Sequence, residues 1–195
     1  MAAQTIWEDV FMSRPTYIYC PSCQTKLTDQ ILGGLVRKAC PLDSCDFVYW
    51  GNPTPVVAGI VERAGKIILV QSHGWPKDWY GLVTGFLEMD EKPEDAIVRE
   101  VQEEIGIKAN VTSYLGAYPF NQMGQIIFAF HLTGAAGTIK LCQEELASYK
   151  EVAIEKLRPW ERGTGPAVKE WLASCGLSPP NIPRTSSPAI QTKNT

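Results

Sequence analysis

The chain has no run of about 18 consecutive apolar residues, which argues against a membrane-spanning helix. Its first residues, MAAQTIWEDVFMSR, carry acidic side chains and no apolar stretch long enough for the h-region of a secretory signal, so a cytoplasmic setting is expected. Neither sign of charge dominates: 18 Lys+Arg stand against 21 Asp+Glu, a formal net charge of −3 at pH 7. That balance gives no global attraction to nucleic acid or to an anionic membrane. An anionic substrate must be drawn locally, by a metal or by residues such as Lys77 and Lys140. Histidine is scarce, with two in 195 residues, and His73 reads as a loop or surface imidazole rather than a catalytic base. No internal repeat is visible apart from two pairs of cysteines.

An apolar content of 45% supplies a core, and 10% aromatics leave some for a cleft. The length suits one domain plus a small appended module. Residues 54–63 and 66–72 are Val/Ile-rich runs separated by Ala64-Gly65, a hairpin signature. Periodicity predicts a helix over 92–105, strands near 109–118, 125–133 and 148–153, and a loop through 134–146. A last helix follows Gly165, with Pro166 in its first turn and Gly176 at its end. From about Leu177 the chain is rich in Pro, Ser, Thr and Asn, and disorder is expected. Mixed strands flanked by two helices predict an α/β/α sandwich.

Cys20, Cys23, Cys40 and Cys45 are spaced C-x2-C-x16-C-x4-C. Paired cysteines around a hairpin-sized insert form a zinc-ribbon pattern, in which four thiolates close a structural Zn²⁺ site. The second knuckle is longer than usual. Two disulfides, which need an oxidising compartment, or four reduced thiols are the alternatives. The insert has no Lys/Arg-rich stripe, which argues against a nucleic-acid-reading role. Cys142 and Cys175 have no spaced partners.

Residues 85–107 read GFLEMDEKPEDAIVREVQEEIGI. Each helical residue advances about 100°, so Glu100, Glu103 and Glu104 share one face. Carboxylates three and four apart repel, and Arg99 is too little to neutralise three of them. Mg²⁺ or Mn²⁺ bound through oxygen would. The opposite stripe, Ile97, Val98, Val101 and Ile105, is apolar and fit for a core.

The spacing resembles the Nudix box, G-x5-E-x7-R-E-U-x-E-E-x-G-U with U a bulky apolar residue. Gly85, Glu91, Arg99, Glu100, Val101, Glu103, Glu104, Gly106 and Ile107 fill every specified position. The resemblance implies a Nudix fold and metal-dependent hydrolysis of a nucleoside diphosphate linked to another group. It implies Glu100, Glu103 and Glu104 as ligands of Mg²⁺ or Mn²⁺. Arg99 would orient Glu103 or Glu91, Gly85 would give the loop its turn, and Glu103 or Glu104 would be the general base. Some relatives carry the base later, and Glu144 and Glu145 lie in that region. The lead-in departs from the common pattern: Thr84 and Asp90 stand where many members have Gly, so conformations that only Gly tolerates are not expected there.

A ribbon before such a domain resembles the NADH pyrophosphatase group. That group's Pro- and Trp-rich segment is matched here only by Pro119-Phe120, while Gly124-Gln125 is more similar to members that accept ADP-ribose or FAD. The expected partition is an arm (1–18), a zinc ribbon (19–50), a hydrolase domain (51–176) and a tail (177–195). A nucleotide-type substrate is expected, its base stacked on Trp75, Trp79, Tyr80, Tyr118 or Phe120, with Trp79 and Tyr80 preferred and Gln125 and Glu144 as further contacts. A MutT-like nucleoside triphosphatase and a non-catalytic ADP-ribose or NAD sensor are the competing readings. The resemblance allows a homodimer.

Overall fold

Runs of Val and Ile without polar alternation suit strands buried on both faces. The computed structural model, which describes residues 17–177, puts these runs at the centre of a mixed sheet. In chain order the elements are β1 (Thr28–Leu32), β2 (Leu35–Ala39), β3 (Val48–Tyr49), β4 (Thr54–Arg63), β5 (Lys66–Ser72), β6 (Val83–Phe86), α1 (Pro93–Ile105), β7 (Lys108–Phe120), β8 (Gln125–Ala136), β9 (Leu146–Ala153) and α2 (Gly165–Ser174). The larger sheet runs β7-β8-β4-β5-β9, with β6 also paired to β4. β4 and β8 are parallel, and the other pairs are antiparallel.

β4 shows how the three layers form. Val56, Ala58 and Ile60 join Ile67 and Leu69 on one face, where α2 adds Ala167, Val168, Trp171 and Leu172. Val57, Val61, Ile68 and Val70 lie on the other face, against Ile97, Val101 and Ile105 of α1. Full burial of each such side chain contributes roughly 1.5–3 kcal/mol. The result is the expected α/β/α sandwich. Ala64 and Gly65 have φ of 48° and 71°, the left-handed pair that a two-residue hairpin requires.

β4 shares one of its edges between two partners. Val56–Gly59 pair with β6, and Val61–Arg63 pair with β5. The chain between β5 and β6, residues 73–82, leaves β5 and comes back against it at the Val70–Gly81 bridge, just before β6 begins opposite Gly59.

The cysteine-bearing module is a three-stranded sheet, β1-β2-β3, whose core is Cys20, Leu27 and Cys40 with Cys45 and Phe47 packed on it. Residues 1–16 of the expected arm lie outside the described residues. Tyr17 and Ile18 belong to the module: the Tyr17 ring packs 5.0 Å from that of Tyr49, and Leu27 N–H donates to the Ile18 carbonyl.

At the other end, disorder was expected from Leu177, but that residue is held. Gly176 has φ of 72°, its N–H donates to the Ala173 carbonyl, and Leu177 N–H reaches the Leu172 carbonyl. This is a Schellman cap, and Leu177 packs on the α2 cluster. The rest of the expected tail lies outside the described residues. Among the described residues no helix is long and apolar enough to cross a membrane.

Candidate active site

α1 begins at Pro93, whose fixed φ suits a first helical turn, and ends at Gly106, which has φ of 69°. Ile97, Val101 and Ile105 are fully buried under it. That packing fixes the rotation of the helix and sets the direction of the acidic face.

Arg99 organises that face with all five of its N–H donors. Nε and Nη2 fork onto Glu91 Oε1 and Oε2 at 2.8 and 2.9 Å. Nη1 reaches Glu100 Oε1 at 2.8 Å and Glu103 Oε2 at 2.9 Å. The second Nη2 hydrogen goes to the Phe86 carbonyl at 3.1 Å. Arg99 thus holds both Glu91 and Glu103, where either one was expected. Its hydrogen bonds and charge hold the Glu91 carboxyl below the usual range. Glu100 goes the other way, because burial outweighs Arg99 and the charges of Glu103 and Glu145 add to the rise.

Glu104 points inward and is 7% exposed. Burial, then the charges of Glu100 and Glu145, push its carboxyl up to about 8, against a hydrogen bond from the Thr84 backbone. Its Oε2 is buried without a hydrogen-bond partner. A buried, partnerless carboxylate oxygen beside two more carboxylates is a donor set that fits a hard divalent cation. Among the described residues only the four cysteines bring three or more potential ligand atoms within 4.8 Å of one another. The glutamates are more widely spread, an arrangement suited to an ion that keeps part of its water shell.

Two glycine-related expectations are corrected. Gly85 does not make a turn. It lies in β6, paired with Val57, and its value is the space it leaves: a Cβ there would sit 1.8 Å from Glu100 Cδ. Asp90 does adopt a glycine-like conformation, with φ of 63°. Asp, with its short polar side chain, tolerates the left-handed region better than most residues. Thr84 sits in regular strand.

The loop after β8 contributes Glu145, whose charge is felt by Glu100 and Glu104, rather than its neighbour Glu144. Glu145 is set in place by its backbone, since His73 N–H donates to its carbonyl at 3.0 Å and the His73 ring meets the Gln143 carbonyl at 3.0 Å.

The aromatic candidates divide. Tyr118 is buried and its hydroxyl donates to Glu170 at 2.6 Å, while Phe120 packs on the α2 cluster. Tyr80 packs there too, with its hydroxyl 2.9 Å from Ser148 Oγ and Lys150 Nζ 3.9 Å from its ring centre. Trp79 is 64% exposed and Trp75 37%. Gln125 opens β8, opposite Thr54 and Phe120. Among the described residues no hydrogen bond or ion pair ties Trp79, Gln125 or Glu144 to the carboxylates. Sequence reasoning passed over Gln71 and Ser148. The available signal was a glutamine in an otherwise apolar strand, KIILVQS.

In the module, Cys20 and Cys45 Sγ lie 3.6 Å apart, and Cys23 and Cys40 Sγ 3.5 Å. A disulfide needs about 2.05 Å, so the four thiols are free. Tetrahedral Zn–S bonds of about 2.3 Å put sulfurs roughly 3.8 Å apart, close to these separations. Cys45 is pushed up to about 12, because burial and its three neighbours outweigh a backbone hydrogen bond from Phe47. The four sulfurs lie within 4.8 Å of one another, and the donor set fits Zn²⁺.

A mixed sheet between two helices, with an acidic helix face gathered by one arginine, defines a Nudix-type architecture. The chain belongs to the NUDIX domain family, whose sequence model matches residues 52–173. It is 28% identical over 145 residues to the NAD-capped RNA hydrolase NudC of Pseudomonas putida, covering 74% of this chain and 51% of that protein. The protein of the same name from Vibrio atlanticus is 29% identical over 129 residues, 66% of this chain and 46% of that one. The chain therefore spans about half the length of the curated relatives it matches. Among solved structures, a NUDIX hydrolase from Nitrosomonas europaea superposes with a TM-score of 0.66 at 19% identity, covering 83% of this chain and 95% of that one.

Proposed function

We propose that this protein hydrolyses the pyrophosphate bond of a nucleoside diphosphate joined to a second group, of the NADH, ADP-ribose or FAD type, with Mg²⁺ or Mn²⁺. The observation that carries the reading is the partnerless buried oxygen of Glu104 beside the Arg99-held Glu100 and Glu103. Glu100, Glu103 and Glu104 would hold the ion, which when bound supplies charge neutralisation at the pyrophosphate and a water of lowered pKa.

The residues of the chain do the rest. Arg99 and Glu91 lock the helix to the Phe86 carbonyl, so the carboxylates are placed before substrate arrives. Burial of Glu104 excludes water from one side of the site. Glu103 is 59% exposed and shares one oxygen with Arg99, leaving the other to accept a proton from the attacking water. Glu145 is a further acceptor at the same cluster.

The curated relatives are hydrolases of NAD-capped RNA by name, which supports an NAD-type substrate and adds such an RNA end to the candidates. Retention of every box carboxylate favours hydrolysis over a non-catalytic ADP-ribose or NAD sensor. The ribbon, with Zn²⁺ on Cys20, Cys23, Cys40 and Cys45, disfavours a MutT-like nucleoside triphosphatase. The setting is cytoplasmic, and a homodimer is compatible with this reading.

Product identity tests the reaction class. At least one of NADH, ADP-ribose and FAD should release AMP in the presence of Mg²⁺ or Mn²⁺, and none should do so in excess chelator. AMP released equally with chelator, or pyrophosphate released from nucleoside triphosphates instead, contradicts the proposal.

A further inference from the structure

Gln71 is the one glutamine of β5, and at 9% exposure it is among the few buried polar side chains of the described residues. It lies on the α2 face of the sheet, in register with Ile67 and Leu69, where a polar side chain needs a reason. Its amide nitrogen donates to the Pro76 and Lys77 carbonyls, both at 2.9 Å. Its oxygen accepts from Ser148 Oγ at 3.0 Å, and Ser148 is in turn 2.9 Å from the Tyr80 hydroxyl. One side chain therefore grips the middle of the 73–80 loop, and its relay grips the end.

The start of that loop is tied to Glu145, and the strand that follows its end, β6, carries the backbone that faces Glu100 and Glu104. At the start, His73 N–H holds the carbonyl of Glu145, whose charge reaches Glu100 and Glu104. Beyond the end, β6 brings the Thr84 backbone to Glu104 and leaves the space at Gly85 for Glu100. Between these anchors the loop presents exposed Trp79, partly exposed Trp75 and Lys77. An indole face that tolerates any base, next to a cation, is suited to a nucleotide.

We propose that Gln71 is a positioning residue, which through its bonds to Pro76, Lys77 and Ser148 sets the 73–80 loop as the surface on which the nucleotide base is bound. The inference rests on the pyrophosphatase reading for the substrate class, and it acts through Trp79. Loss of Gln71 weakens binding of the nucleoside half while the reacting groups on α1 stay in place, so KM rises and kcat holds.

The test uses the full chain with Mg²⁺. AMP, which has no pyrophosphate to cleave, is titrated against tryptophan fluorescence, and steady-state NADH or ADP-ribose hydrolysis is measured beside it. Gln71→Leu is expected to raise both the AMP Kd and KM roughly tenfold, the scale of a lost buried hydrogen-bond network, with kcat within about twofold. Trp79→Ala is expected to do the same, and Gln71→Leu in the Trp79→Ala background to add nothing further. A merely structural role would lower stability and leave KM unchanged and the two effects additive. Ser148→Ala, which removes one hydroxyl, should give a smaller rise and covers the case in which Gln71→Leu does not fold. Unchanged AMP Kd in Trp79→Ala, or a rise in KM for Gln71→Leu that adds fully to that of Trp79→Ala, overturns the proposal. Wild type that hydrolyses neither substrate, but whose AMP affinity falls in the variants as described, removes the pyrophosphatase reading and leaves the role of Gln71 supported.

Discussion

Gly85 and Glu100 compete for one space: a Cβ on the glycine would lie 1.8 Å from the glutamate Cδ and 1.9 Å from its Oε1. The atoms that must yield are the end of a flexible side chain, so Gly85→Ala should cost little stability, under about 1 kcal/mol. The displaced carboxylate should cost activity about 100-fold, the scale of a misplacement near 1 Å. Thermal melting and kcat measured together check this. A large loss of melting temperature with activity per folded molecule intact would contradict it.

Glu104 sets a pH dependence in metal-free protein. Its folded pKa is raised to about 8 by burial, above the ordinary carboxyl value near 4.5. A raised folded pKa means the folded state prefers the protonated form. The stability it contributes is present below about 4.5 and is lost as pH rises through about 8. Denaturant unfolding in chelator should therefore show stability falling across that window, and Glu104→Gln should flatten the fall. Added Mg²⁺ or Mn²⁺ should flatten it too, by favouring the ionised form. A metal-free stability that rises from pH 5 to pH 8 with a slope unaltered by Glu104→Gln would count against this assignment.

The box was legible in sequence because its chemistry is local: six residues of helix hold Arg99, Glu100, Glu103 and Glu104, and helical geometry alone puts the three glutamates together. The sheet was legible because β4 and β5 are apolar on both faces and are joined by Ala64-Gly65. What stayed hidden depends on tertiary approach. The space at Gly85 is set by the packing of α1 on β6, which no spacing rule contains. Asp90 takes a left-handed φ in a turn where Glu91 N–H donates to the Glu88 carbonyl and Arg99 forks onto Glu91, contacts that the local sequence does not announce. Glu145, not Glu144, is the residue whose carbonyl His73 captures, a contact 72 residues apart in sequence (145 − 73).

The ribbon should depend on its metal. Its core is three buried side chains, Cys20, Leu27 and Cys40, too few to hold a module of this size without a further tie. Elemental analysis should find one zinc per chain. A thiol reagent should find Cys20, Cys23, Cys40 and Cys45 unreactive until a chelator is added, and Cys45→Ser should lose the zinc. Four thiols that react freely in native protein containing no zinc would contradict this account.

The central claim is metal-dependent cleavage of a pyrophosphate by the acidic face of α1. Its most direct test is turnover of NADH, NAD⁺, ADP-ribose, FAD and dGTP with Mg²⁺ and with Mn²⁺, run beside Glu103→Gln. The account predicts AMP from at least one of the dinucleotide or ADP-ribose substrates, falling by two orders of magnitude or more, roughly, in the variant. Wild-type protein loaded with metal that binds ADP-ribose or NAD⁺ and cleaves nothing would contradict it, and would make the chain a sensor that retains its carboxylates.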